Sequence, residues 1–136
     1  MSFVLDSSAA LAMLLPDEHS ADADRIGERL LRTVAMVPSI WPLEVRNALL
    51  VALRGKRITS REFDERVSLL EELPLEIDPG CSAEVLSRVV DIARRQSLST
   101  YDASYVELAR RHDIPLATFD ARLRKACHVV GVVALP

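Results

Sequence analysis

The sequence predicts an α/β fold: a three-layer α/β/α sandwich with a central parallel sheet. Three observations support this prediction. Short apolar strands alternate with longer helical segments along the chain. The strands lack the polar–apolar alternation of a sheet that has one face in water, so helices are expected on both faces. No repeat, linker or low-complexity tract interrupts the pattern, and residues 1–136 are therefore expected to form one domain.

Prolines and glycines set the bounds of the elements in the first half of the chain. Pro16 stops the first helix, Pro42 lies in the first turn of the third, and Gly55 follows the end of the third. The predicted elements are a strand over 3–5, helices over 7–15 and 19–32, a strand over 34–37, and helices over 41–54 and 60–73.

The second half continues the alternation of strands and helices. Ser99 and Thr100 provide hydroxyl groups that suit the start of a helix. The predicted elements are a strand over 75–77, helices over 82–96 and 101–112, a strand over 116–119, a helix over 121–127, and a last strand over 129–133.

Composition limits the classes of protein to which the chain can belong. It is 49% hydrophobic and 27% charged, which is typical of a folded globular protein and excludes a disordered one. The apolar run 9–15 is too short to span a bilayer, so a cytoplasmic protein is expected. The net charge is -3, whereas proteins that hold nucleic acid by charge alone are usually basic. A nucleic-acid ligand would therefore require something other than net charge to offset phosphate repulsion, and a bound divalent cation could do so.

Two aspartates follow predicted strands. Asp6 comes directly after Phe3-Val4-Leu5, and Asp120 comes directly after Leu116-Ala117-Thr118-Phe119. In parallel sheets, ligands bind beyond the carboxyl ends of the strands, which is where both acids are expected. The alternative is that each aspartate only caps the helix that follows it, a contribution of about 1 kcal/mol.

Two further acids lie on apolar helix faces. Glu44 falls on the stripe that contains Trp41 and Val45, and Asp102 shares a face with Tyr105. A lone ionised carboxylate that faces a core is unfavourable unless it is paired or bound to a metal. The alternatives are a buried ion pair or a solvent-facing rim position for Glu44, and a capping-box position for Asp102.

The four acids together favour a metal site over four separate caps. Four carboxylates at one edge of the sheet would repel each other, and a divalent metal would remove that conflict. Ligation by oxygen alone suits Mg²⁺ or Mn²⁺ better than zinc. The reaction that such a site favours is metal-assisted phosphodiester hydrolysis.

Four local motifs resemble those of a known family. They are Val4-Leu5-Asp6-Ser7-Ser8, Glu44-Val45-Arg46-Asn47-Ala48-Leu49, Leu98-Ser99-Thr100-Tyr101-Asp102-Ala103 and Ala117-Thr118-Phe119-Asp120-Ala121-Arg122-Leu123. In this order and spacing, the chain resembles the PIN-domain ribonucleases, and among them the VapC-type toxins of bacterial toxin–antitoxin pairs. The resemblance runs from Met1 to Pro136.

This resemblance implies a Mg²⁺- or Mn²⁺-dependent endoribonuclease whose acidic quartet is intact. Asp6 and Asp102 match the principal direct metal ligands, and Asp120 matches a further ligand. Glu44 matches a residue that binds metal or positions the attacking water. Hydroxyl residues that support the acids are matched by Ser7 and Thr118. The family also implies a homodimer and an inhibitory antitoxin of the VapB kind, which often binds DNA through its other end.

Other functions stay open at this point. An acid-cluster phosphatase or phosphotransferase would use a similar sheet, although Ser7-Ser8 after Asp6 does not fit a DxD motif. A non-catalytic PIN-like module would use the acids only to recognise a basic partner. Basic residues near helix ends are candidates to follow an RNA backbone, or else simply form solvated helix ends. They are Arg54, Lys56, Arg57, Arg122, Arg124 and Lys125.

Overall fold

The computed structural model describes residues 2–136 and confirms the predicted fold class. A five-stranded sheet, parallel throughout, lies at the centre of the α/β/α sandwich. The strands are β1 (Phe3–Leu5), β2 (Ala35–Pro38), β3 (Leu75–Asp78), β4 (Leu116–Ala117) and β5 (Ala134–Leu135). The helices are α1 (Ser7–Leu14), α2 (Ala21–Leu30), α3 (Trp41–Arg54), α4 (Ser60–Glu72), α5 (Ala83–Gln96), α6 (Thr100–His112) and α7 (Ala121–Val130).

The order of the strands creates a switch point in the middle of the sheet. The order is β3-β2-β1-β4-β5, so the chain builds outward from β1 in one direction and later returns to build in the other. Every residue of β1, β2 and β4 is buried, as expected for strands covered on both faces. The crevice at such a switch point, beyond the carboxyl ends of the strands, is the usual ligand site of open α/β sheets. Here it lies after β1 and β4.

The last strand was predicted in the wrong place. Residues 129–133 do not form a strand, because α7 continues to Val130 and ends at Gly131, whose φ of +80° suits a glycine C-cap. The final strand is instead β5, which pairs with β4. Strand β4 is also shorter than predicted, since it ends at Ala117.

The predicted second helix over 19–32 is shorter in the structure, where it covers Ala21–Leu30. A short 3₁₀-helix over Pro16–Glu18 precedes it, and α2 itself begins only after Ser20, whose side chain accepts a hydrogen bond from the Ala23 backbone N–H. Within residues 2–136, none of the helices combines the length and the apolar character needed to cross a bilayer.

Candidate active site

Asp6 is a buried carboxylate at the switch point of the sheet. It directly follows β1, and only 1% of it is exposed. Oδ1 accepts hydrogen bonds from the Ala9 backbone N–H at 2.8 Å and from Ser8 Oγ at 2.7 Å. Oδ2 accepts a hydrogen bond from Thr118 Oγ1 at 2.5 Å. Asp6 therefore caps α1, as the simpler interpretation expected, but its second oxygen points to the strand next to its own.

The pKa of Asp6 is raised to about 6, chiefly by burial and less by the neighbouring charge of Asp120. The three hydrogen bonds from Thr118, Ala9 and Ser8 stabilise the ionised form and oppose this rise. No Lys, Arg or His within residues 2–136 forms an ion pair with Asp6. Near neutral pH the protein thus carries a buried negative charge with no cation of its own beside it.

Thr118 joins Asp6 to the segment that carries Asp120. Its fully buried hydroxyl donates to Asp6 and accepts a hydrogen bond from the Asp120 backbone N–H at 3.0 Å. Asp120 then caps α7, because its Oδ1 accepts from the backbone N–H groups of Arg122 and Leu123 at 2.8 and 3.3 Å. Asp120 is half-buried, and its Oδ2 takes no part in this cap. The strand-then-acid pattern of the sequence thus brings Asp6 and Asp120 close enough to repel each other.

Glu44 and Asp102 form a second pair of acids. Glu44 lies in the first turn of α3 and is half-buried. Burial raises its pKa, the Tyr105 hydrogen bond opposes that rise, and the negative charge of Asp102 adds to it. Asp102 lies in the first turn of α6, where its backbone N–H donates to the Ser99 side chain at 3.1 Å. The Asp102 carboxylate accepts no reciprocal hydrogen bond from the Ser99 backbone N–H in the structure. It therefore does not complete a capping box.

Tyr105 lies between the two pairs of acids, which was not foreseen from the sequence. Its buried hydroxyl donates to Glu44 Oε1 at 2.7 Å. Burial, the bond to Glu44 and the charges of Glu44 and Asp6 all raise the pKa of Tyr105, so the hydroxyl keeps its proton. Ser7 lies near this hydroxyl and opposes the rise in its pKa. Ser7 therefore contacts the site through Tyr105, whereas the serine that binds Asp6 is Ser8.

The donor chemistry of these acids fits a hard divalent cation. Among the residues that the structure describes, none of the four candidate acids forms an ion pair with a basic side chain. Within the same range, no three His, Cys, Asp or Glu side chains are already close enough to hold a metal ion together. Mg²⁺ keeps several waters and commonly binds only one or two protein carboxylates. A pair of acids is therefore enough to bind it.

The basic residues considered as RNA contacts differ in their availability. Arg57 is committed to Asp17 and Glu18, with three hydrogen bonds of 2.8 Å. Arg124 donates to the backbone carbonyls of Thr118 and Leu135, each at 3.0 Å, and so ties α7 to the ends of β4 and β5.

Comparisons with known proteins define the family. The PIN-domain family model matches residues 3–129. Ribonuclease VapC3 of Pyrobaculum aerophilum is 34% identical over 123 residues, which cover 90% of this chain and 92% of the relative. Ribonuclease VapC3 of Mycobacterium tuberculosis is 32% identical over 133 residues, which cover 94% and 91%. The chain belongs to the PIN-domain family. Within that family it is a VapC-type ribonuclease by these similarities.

Two solved structures share the fold. The structure of PAE2754 from Pyrobaculum aerophilum has a TM-score of 0.65 at 24% identity and covers 98% of this chain and 92% of its own. The FitAcB structure from Neisseria gonorrhoeae has a TM-score of 0.69 at 15% identity and covers 100% and 97%. At these identities the likeness establishes the shared architecture alone.

Proposed function

We propose that this protein is the toxin of a toxin–antitoxin pair and that it hydrolyses RNA phosphodiester bonds with the help of Mg²⁺ or Mn²⁺. The observation that carries the proposal is Asp6, a buried carboxylate at the switch point with no basic partner among residues 2–136. Its relatives named Ribonuclease VapC3 support RNA as the substrate. A structural carboxylate would be expected to have a counter-charge, so this one is best explained by a cation that binds from solution.

The four acids have distinct roles in this proposal. Asp6 and Asp102 would hold the cation, Asp120 would be a further ligand, and Glu44 would bind it or orient the attacking water. When bound, the cation would supply a more acidic water and neutralise charge on the phosphate. Tight hydrogen bonds already fix both oxygens of Asp6, so this carboxylate needs little reorganisation to act. Oδ1 already accepts two hydrogen bonds, whereas Oδ2 accepts one and retains a lone pair for a cation or a water.

The central test compares Asp6→Asn and Asp102→Asn with Asp91→Asn. Asp91 is an exposed residue of α5 that pairs with Arg95. Either site variant should lower Mn²⁺-dependent cleavage of an RNA substrate at least about 100-fold, because even outer partners of metal ligands are worth 10–100-fold. Growth arrest on induction should also be lost, and Asp91→Asn should behave like the parent chain.

Full activity in both site variants would contradict the proposal. Phosphate release from small phosphomonoesters without RNA cleavage would favour the phosphatase alternative. A chain that cleaves neither substrate and is not stabilised by millimolar Mn²⁺ would be a binding module.

The partners are also part of the proposal. A single nuclease domain of residues 1–136 would form a homodimer in the cytoplasm and bind a DNA-binding antitoxin of the VapB kind. We expect a short neighbouring reading frame that encodes a DNA-binding protein. Its product should co-purify with this chain and suppress cleavage. Light scattering of the purified chain would give twice the mass of one copy.

A further inference from the structure

Tyr105 is the one aromatic hydroxyl that contacts a candidate acid among residues 2–136. It lies on α6 one turn after Asp102, so both residues lie on the same face of this helix. Its side chain is 1% exposed, and it is 61 residues away in sequence from the Glu44 carboxylate that it contacts. A buried tyrosine hydroxyl usually has a hydrogen-bond partner. Here the partner is unusual, because it is a carboxylate with no basic side chain beside it among the described residues.

The hydroxyl has one hydrogen, and the geometry assigns it to Glu44 Oε1 at 2.7 Å. Glu44 is a long, half-exposed side chain that is repelled by Asp102 and has no Lys, Arg or His ion-pair partner within the described range. Without the hydroxyl nothing else that the structure shows would hold Glu44 against this repulsion, and the side chain would be free to turn toward solvent. With Oε1 held by Tyr105, Oε2 is left free to face the neighbouring acids or a water.

We propose that Tyr105 is a positioning residue of the active site, and that its hydroxyl holds Glu44 in the orientation in which it acts. Ser7 next to the same hydroxyl provides a link to the start of α1, adjacent to Asp6. This inference rests on the proposed ribonuclease function, and it adds a fifth residue to the four acids. Tyr105 would act through Glu44 and would not itself touch the substrate.

The test removes only the hydroxyl, with Tyr105→Phe, and uses Tyr101→Phe as its matched control. Tyr101 belongs to the same helix but is 59% exposed. Tyr105→Phe should lower kcat for RNA cleavage about 10- to 100-fold and leave KM nearly unchanged, which is the usual range for partners of metal ligands. Mn²⁺ binding without RNA, measured by isothermal titration calorimetry, should weaken as well.

A double-mutant cycle with Glu44→Gln separates positioning from a purely structural role. If Tyr105 acts through Glu44, the Phe substitution should change Mn²⁺ affinity in the parent chain but have little further effect beside Glu44→Gln. Equal losses with and without Glu44, or a Tyr105→Phe chain that does not fold, would show that the hydroxyl serves the fold and would overturn the inference. Activity equal to that of Tyr101→Phe would overturn it too.

The two proposals fail in different ways. If Asp6→Asn is inactive and Tyr105→Phe is fully active, only the role of Tyr105 is wrong. If Asp6→Asn still cleaves RNA, the proposed function itself is wrong.

Discussion

Two buried carboxylates in this protein meet opposite surroundings. Asp6 and Glu107 are 1% and 3% exposed. Glu107 accepts hydrogen bonds from Arg111 Nε at 2.9 and 3.0 Å, and Arg88 Nε lies 3.7 Å away. The other guanidinium nitrogens of Arg111 bind Asp78 at 3.2 and 2.6 Å, so one arginine joins α6 to the end of β3. Asp6 has hydroxyl and amide donors but no cation among the described residues.

The difference separates a carboxylate that is neutralised within the fold from one that we propose to be functional. The charge of Glu107 is neutralised within the fold, and the Arg111 bond likewise lowers the pKa of Asp78. The charge of Asp6 has no basic side chain beside it among the described residues, and its pKa is raised to about 6, chiefly by burial. The two acids are almost equally buried, so burial does not distinguish them. They differ in whether a basic side chain pairs with them.

The largest change in stability should come from removing Arg111, the arginine that pairs with both Glu107 and Asp78. Arg111→Met would leave Glu107 and Asp78 without their main cation, so the free energy of unfolding should fall by about 3 kcal/mol. Urea unfolding at pH 7.5 measures it, and Arg110→Met, at the exposed neighbouring arginine, serves as the control. A loss no larger than that of the control would mean that the Arg111 group contributes little to the fold.

Removing the charge of Asp6 should raise the free energy of unfolding, whereas removing Arg111 should lower it. Because its pKa is raised in the folded protein, stability should fall as the pH rises from about 4 to 6, where the native state binds the proton more tightly. Asp6→Asn avoids this loss, and at pH 7.5 in EDTA it should be about 1–3 kcal/mol more stable than the parent chain. Unfolding curves from pH 4 to 7.5 should show the two chains converging at the acid end. A variant that is less stable at pH 7.5 would contradict this account of Asp6.

The smallest effect on stability should come from adding Mn²⁺. At tenfold excess over its Kd, Mn²⁺ should stabilise the parent chain by about 1.4 kcal/mol, and Tm should rise by about 3–5 °C. Arg111→Met should gain the same increment, since its defect is elsewhere, and Asp6→Asn should gain none. An equal rise in all three chains would place the cation away from Asp6.

The sequence predicts the fold well where local signals decide it. The bounds of α3 agree with the structure because Pro42 and Gly55 mark both ends. The last strand was misplaced because valines at 129 and 130 suit a strand. In the folded chain these valines belong to α7, which ends at Gly131 in the left-handed conformation. Family membership was likewise predicted from four short motifs and is confirmed by the comparisons.

The site was accessible from the sequence only in part. Acids on apolar faces are conspicuous, so Asp6, Glu44, Asp102 and Asp120 stand out as candidates. Tyr105 does not, because a tyrosine on an apolar helix face looks like an ordinary core residue until its partner across the fold is known. The four-residue spacing of Glu107 and Arg111 does suggest an ion pair, but nothing local shows that Arg111 also reaches Asp78.

The strand order also governs when the candidate site comes into existence during synthesis. Asp6 precedes the other three candidate acids in the chain, yet the hydroxyl that binds its Oδ2 belongs to Thr118, 112 residues later. A nascent chain that has reached only Gln96 at the end of α5 lacks Asp102, Thr118, Asp120 and the strand β4 that must pair with β1. The candidate site therefore cannot be complete until the ribosome has passed Asp120, whichever of the four acids is made first.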